Sequence, residues 1–132
     1  MSKIQARIIN IQTQESLNIV EFEFMGNVLK MMSLELSEDT IVDAKVELSI
    51  KPFSVALAKN LQGMLSYSNQ VNAIVNSIDA GELLWSLKLL VGESRIESII
   101  TASSAKNMNI KVGDEVTALI KANEISIVRL IK

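Results

Sequence analysis

The chain repeats itself, and the repeat restricts the folds open to it. Residues 46–57 read V-E-L-S-I-K-P-F-S-V-A-L and residues 116–127 read V-T-A-L-I-K-A-N-E-I-S-I. In both, Val is followed four residues later by Ile, then Lys, then Pro or a small residue, then an apolar-alternating tail. Ile4, Ala6, Ile8 and Ile11 return as Val71, Ala73, Val75 and Ile78 at a constant shift of 67. Units of about 65 residues bury only roughly 60% of their unfolded surface, so each is marginal alone. Two copies of one small unit are expected to share walls, which directs the search for function to seams as well as to the inside of each unit.

Within each copy the dominant signal is period-2 alternation. Val20, Phe22 and Phe24 alternate with Glu21 and Glu23; Val46, Leu48 and Ile50 alternate with Glu47 and Ser49; Leu87, Leu89 and Val91 follow Trp85 with Ser86 and Lys88 between. Ile4, Ala6 and Ile8 begin the same way before Ile9 blurs the pattern. These are half-buried strands. Gly26-Asn27 and Gly92-Glu93-Ser94 occupy matching hairpin positions. The expected strands lie near 4–11, 18–25, 28–35, 45–51 and 54–58, and again near 70–78, 83–91, 94–101, 115–121 and 124–130. One short helix is predicted at about 102–108, capped by Thr101 or Ser103. The matching segment 34–42 is three residues shorter than 101–112, so its helix is expected to shrink to a turn carrying Ser37, Glu38 and Asp39. Five strands with a helix between the third and fourth describe an OB-like barrel. The expected fold is mainly β: two tandem five-stranded barrels, one over 1–60 and one over 66–132, with a short helix in the second. The join at 59–69 contains Leu61, Met64 and Leu65 and reads as a packed crossover.

Composition removes several classes of activity. The chain has no Cys and no His, which excludes disulfides, thiolate metal sites and the commonest general base. With 13 basic and 15 acidic residues the net charge is −2, and only five residues are aromatic (Phe 3, Trp 1, Tyr 1). Neither a basic groove nor a stacking platform for nucleic acid is expected. The start lacks the shape of a signal peptide, and the apolar run at 83–91 is broken by Ser86 and Lys88 and too short to span a membrane. A cytoplasmic protein is the expectation. No nucleophile with its base and no Gly-rich phosphate loop is present, so an enzyme is not expected.

Residues 101–123, T-A-S-S-A-K-N-M-N-I-K-V-G-D-E-V-T-A-L-I-K-A-N, closely resemble the molybdate-binding Mop unit, also called the TOBE domain. T-x-x-S, V-G-D-E-V and A-L-I-K-A occur together at that family's spacings, and the resemblance extends upstream through 70–100 in strand order. The first half resembles the unit loosely. Two units in tandem look like a di-Mop molbindin, a small cytoplasmic oxyanion-binding protein. The same pair forms the sensor end of molybdate-responsive repressors, although no helix-turn-helix segment precedes it here.

The resemblance implies a set of binding positions. A Ser-Ala-Arg-Asn segment precedes the first strand in the family; here it is Ser66-Tyr67-Ser68-Asn69, with Ser68 in place of the cationic residue. The Thr and Ser of T-x-x-S fall on Thr101 and Ser104, and the Lys and small residue after the fourth strand fall on Lys121 and Ala122. In the first copy these positions are Leu34, Ser37, Lys51 and Pro52; Leu34 has no hydroxyl and Pro52 no amide proton. Ser37 and Lys51 are thus the possible first-copy equivalents. The family's sites lie between units of neighbouring subunits, and tandem molbindins point to a homotrimer, with a dimer as the alternative.

These residue types suit molybdate or tungstate, tetrahedral dianions with four acceptor oxygens and no donors at neutral pH. Ser66, Thr101 and Ser104 bring rotatable hydroxyls, amides at the start of the predicted helix are free donors, and Lys121 supplies a full charge. Hydrogen bonds to a charged group contribute roughly 1.5–3 kcal/mol each, so four or five hold a dianion against its desolvation. Ser68 cannot reproduce the bidentate contact of an Arg. That leaves lower affinity, compensation by Lys3, Arg7 or Lys106, or a different ligand. The plainer readings are that Thr101 and Ser104 only cap a helix and that Lys121 is a solvated strand-end lysine. Glu21 with Glu23 and Glu38 with Asp39 read as solvated positions, since no calcium-loop pattern surrounds them. The expected function is non-catalytic binding of molybdate or tungstate for molybdenum homeostasis, storage or sensing. The alternative is a structural or interaction module of a molybdate transport or regulatory system that has lost its oxyanion affinity.

Overall fold

The computed structural model describes residues 2–132. The first half forms strands β1 (Ser2–Gln14), β2 (Leu17–Phe24), β3 (Asn27–Ser33), β4 (Lys45–Ile50) and β5 (Ala56–Ala58), with a 3-10 turn at Pro52–Ser54. The second half forms β6 (Asn69–Ala80), β7 (Leu84–Val91), β8 (Ser94–Thr101), helix α1 (Ala102–Asn107), β9 (Glu115–Ile120), a 3-10 turn at Ala122–Glu124, and β10 (Ile125–Ile131). The expected order is present in both copies. Segment 34–42 is a series of turns without a helix, as its shorter length predicts. The chain is mainly β, with two curled five-stranded sheets and one α-helix among the described residues.

The partners of the fifth strands depart from a simple tandem. One sheet has the order β10-β4-β1-β2-β3 and the other β5-β9-β6-β7-β8. Each half therefore sends its last strand into the sheet of the other: Ala56 pairs with Leu119, and Ile125 pairs with Ile50. The division into 1–60 and 66–132 describes the repeat in sequence, while each sheet draws a strand across it. Each sheet curls until its incoming strand and the turn before it lie against the third strand, with β5 and 52–54 on β8, and β10 and 122–124 on β3.

The two copies are related by an approximate two-fold axis, seen where equivalent residues touch. Ser54 Oγ donates to Glu124 Oε2 at 2.8 Å, and those positions correspond at the shift of 70 set by the V-x-x-x-I-K repeat. A Cβ on Gly92, which has φ +59, would come within 3.3 Å of Met25 Sδ, its counterpart at shift 67. Ser2 Oγ accepts from Glu97 N at 2.7 Å, and Asn69 Oδ1 accepts from Lys30 N at 2.7 Å. The first residue of β1 thus latches onto β8, and the first residue of β6 onto β3.

Alternation along β1 and β6 turns Ile4, Ala6, Ile8, Val71, Ala73 and Val75 inward, and one contiguous core joins them to Phe22, Phe24, Leu29, Leu87 and Ile96. The blur at Ile9 is a β-bulge: the β1–β2 register shifts between Ile8 and Asn10, and the β6–β7 register shifts between Val75 and Ser77 at the equivalent place. At both bulges the strand turns to the loop before the fourth strand, with Asp43 N donating to Ile8 O at 2.8 Å and Gly113 N to Val75 O at 2.8 Å. The residues at 43 and 113 both have positive φ, 76° and 94°. The crossover does not pack as expected. Met64 is 99% exposed and Leu65 and Leu61 are also open to solvent, because the fifth strands already close the walls that the crossover would have covered.

Candidate functional site

Thr101 and Ser104 stand together where β8 passes into α1. Thr101 is the N-cap: its Oγ1 accepts from Ser104 N at 3.2 Å and donates to Ser104 Oγ at 2.9 Å, with Ser103 Oγ 3.3 Å away. Ser104 therefore accepts from its neighbour and keeps its own proton to present outward, polarised by the bond it receives. Both side chains are exposed. The expectation of free amides at the head of the helix is only half met. Ala102 N already donates to Leu83 O at 2.8 Å, Ser104 N to the Thr101 side chain, and Ala105 N opens the helical ladder on the carbonyl of the Thr101 N-cap, which leaves the amide of Ser103.

The hydroxyl pair lies on the rim of a groove of about 370 Å³ whose other wall comes from the first half: Phe53, Val55, Ala56 and Leu57 face Leu84, Ile99 and Ile100, with Met108 at the end. The strand exchange builds this groove. The 3-10 turn at Pro52–Ser54 leads β5 onto β8, where Ser98 Oγ fixes it by donating to Val55 O at 2.6 Å. Phe53, 68% exposed, is left standing beside the hydroxyls. The half with the poorer match to the family thus supplies one wall of the site in the better one.

The remaining carried-over residues gather elsewhere. Asn69 pairs with Ile120 at the end of the β6–β9 ladder, so Ser68 and Lys121 leave that ladder side by side. Lys121 is the N-cap residue of the 122–124 turn, its ammonium is exposed, and its carbonyl accepts from Glu124 N at 3.0 Å. Ser66 and Ser68 are exposed and make no side-chain hydrogen bond among the described residues; Ala122 is half-buried. Asn69 is fully buried, and its amide is engaged: Oδ1 accepts from Lys30 N at 2.7 Å and Nδ2 donates to Lys30 O at 2.9 Å. Its side chain locks two sheets together, with one Nδ2 proton and the Oδ1 committed to the Lys30 backbone. Ser66, Ser68, Asn69, Lys121 and Ala122 do not line the groove that holds Thr101 and Ser104. β6 and β8 both run antiparallel to β7, so Asn69 and Thr101 sit at opposite ends of the sheet. Within one chain the expected residues therefore fall into two separate groups.

The first copy has the equivalent groove, about 430 Å³, between the 31–40 segment and β10. Ser37 lines it with its hydroxyl 3.0 Å from that of Thr40, and Leu34, in the place of Thr101, is 69% exposed. Lys51 is exposed at the head of the 52–54 turn. The candidates Lys3, Arg7 and Lys106 do not line the groove at Thr101; Arg7 instead pairs with Asp43 at 3.0 Å.

Two residues outside the expected set shape the site. Lys59, next after β5, reaches across to the end of α1 and to Asp114, 2.9 Å away. Asp114 Oδ2 also accepts from Lys111 N at 2.8 Å. The Lys59 contact and the Lys111 amide hold the Asp114 carboxyl below its ordinary range. Asp114 was legible as the Asp of V-G-D-E-V, a turn residue. Lys59 had no signal, because its partner lies in the other copy.

Residues 65–127 match the family model of the TOBE domain. The fold is similar to that of the cytoplasmic molybdate-binding protein ModG, solved with molybdate bound, at 19% identity over 95% of this chain and 93% of that one, with a TM-score of 0.87. A molybdate-binding protein from Sporomusa ovata aligns at 27% identity over 51% of this chain and all 100% of its own, with a TM-score of 0.49. No curated protein matches the chain. No helix of the described residues is long and apolar enough to cross a membrane.

Proposed function

We propose that this chain, whose residues 65–127 match the TOBE domain model, binds a small tetrahedral oxyanion, molybdate or tungstate, and holds it without chemistry in molybdenum homeostasis, as a store or a sensor. The observation that carries this reading is that the TOBE match at 65–127 spans every second-copy position, from Ser66 to Ala122. The shared fold with a protein that carries molybdate supports it. So does the chemistry. The exposed hydroxyl of Ser104, polarised by the bond it accepts from Thr101, and a free ammonium at Lys121 are donors, which is what an all-acceptor dianion requires. No other cofactor enters this reading, and without His or Cys the chain has no ordinary nucleophile–base pair.

The separation of the two groups of residues fits a ligand shared between copies, in which the Lys121 end of one subunit meets the Thr101 end of another. A homotrimer is the assembly we favour, with a dimer as the alternative, and the cytoplasm is the compartment. Calorimetric titration with molybdate, tungstate and sulfate tests the function: heat with the first two is expected, and none with any of the three at millimolar ligand overturns it.

A second reading is favoured by two observations. Asn69 is engaged with Lys30, and Ser68 stands where the family has a cation. On that reading the chain is a structural or interaction module of a molybdate transport or regulatory system without oxyanion affinity, and the silent titration would be its signature.

A further inference from the structure

We infer that Lys59 is a positioning residue for the oxyanion site, holding from its far end the segment that carries Thr101 and Ser104. The inference rests on the binding reading above. An ammonium has three donors, and this one has three acceptors: Met108 O at 3.3 Å, Asn109 O at 2.9 Å and Asp114 Oδ2 at 2.9 Å. Its side chain is only 24% exposed. A surface lysine in water is not saturated in this way.

The helix needs such a tie. It has six residues, Ala102–Asn107, far below the length at which a helix is stable by itself. Its chain reverses through Asn109 at φ 52°, and the carbonyls of Met108 and Asn109 are the ones that Lys59 takes. Asp114 closes the loop around the ammonium by accepting from Lys111 N as well. The clamp is delivered by strand exchange, since Lys59 directly follows β5, the strand that the first half lends to the second sheet.

The two copies of the repeat act as an internal comparison. At the shift of 70, Lys59 corresponds to Arg129 and Asp114 to Ala44. Arg129 reaches no helix end and pairs with Glu47 at 3.5 Å. Segment 34–42 has no helix, and Leu34 replaces Thr101. Helix, lysine, aspartate and threonine occur together in one copy and are missing together from the other. The clamp thus accompanies the one helix whose N-cap is Thr101 and whose first turn carries Ser104.

The test uses the full chain with Lys59→Met, which keeps the stem and removes the donors, and Lys59→Arg, which restores charge and donors. Amide hydrogen exchange is read on ligand-free protein and affinity by molybdate calorimetry. In Lys59→Met, amides at 102–109 are expected to exchange at least about tenfold faster while β1–β4 keep their protection. Molybdate affinity is expected to fall about tenfold, and Lys59→Arg to recover most of both. Lys88→Met, at an exposed lysine of β7 that makes no ion pair among the described residues, is expected to move neither. Exchange raised uniformly through the chain, or unchanged affinity in Lys59→Met beside normal wild-type binding, overturns the positioning role. Wild-type protein that takes up no molybdate overturns the binding reading and the ligand half of this one. Unchanged exchange at 102–109 overturns the clamp whatever the ligand does.

Discussion

Lys121 presents an exposed ammonium with no carboxylate in salt-bridge range among the described residues. Its contribution to binding is therefore not masked by an internal partner. A hydrogen bond to a charged group contributes about 1.5–3 kcal/mol, so Lys121→Ala should lower oxyanion affinity about tenfold or more in a calorimetric titration. Superimposable curves for variant and wild type would place Lys121 outside the site. Asn69 behaves differently. Its buried amide satisfies both backbone groups of Lys30, and Asn69→Ala leaves them unpartnered at a cost of about 1–3 kcal/mol. A urea midpoint equal to that of the wild type would show that water replaces the bridge. The T-x-x-S pair was legible as a capping motif, because cap geometry is local. The engagement of Asn69 was not, since its partner is 39 residues away and nothing in the Ser-Tyr-Ser-Asn segment names it.

At the level of elements, the repeat made the strands and the asymmetry of the helix legible. A three-residue difference between 34–42 and 101–112 was enough to place α1 in one copy only. Even the bulge left a trace, as the out-of-phase Ile9. The turn at Asp114 carries a pH prediction. Its carboxyl titrates lower in the folded chain than its ordinary value of 3.8, so the folded state binds that proton less readily than the unfolded state does. The resulting stability is fully present above the ordinary carboxylate range and is lost as pH falls through the lowered value. Urea unfolding followed from pH 7 down to pH 3 should show wild type losing more stability than Asp114→Asn on acidification. Parallel profiles would mean that the Lys59–Asp114 contact is absent in solution.

The scale of the whole molecule is where the sequence was silent. Alternation fixes which face of a strand is buried, not which strand lies beside it. β4 and β9 carry the same V-x-x-x-I-K pattern, so either fifth strand satisfies either edge. The exchange is decided by chain geometry, in which the 52–54 and 122–124 turns carry each strand across the two-fold axis at Ser54 and Glu124. One consequence is mechanical. Cleavage at a protease site introduced beside the exposed Met64 should leave both fragments together in gel filtration under native conditions, because each sheet keeps a strand from the other fragment. Release of two separately folded halves would show that the fifth strands stay at home.

The central claim is that donors at Thr101, Ser104 and Lys121 receive a tetrahedral dianion. Crystals grown with molybdate and measured at the molybdenum absorption edge address it directly. The account predicts an anomalous peak within hydrogen-bond reach of Thr101 and Ser104, of Lys121, or of both ends meeting between neighbouring copies. A map with no such peak, or with molybdenum bound only at surfaces remote from these residues, would contradict it.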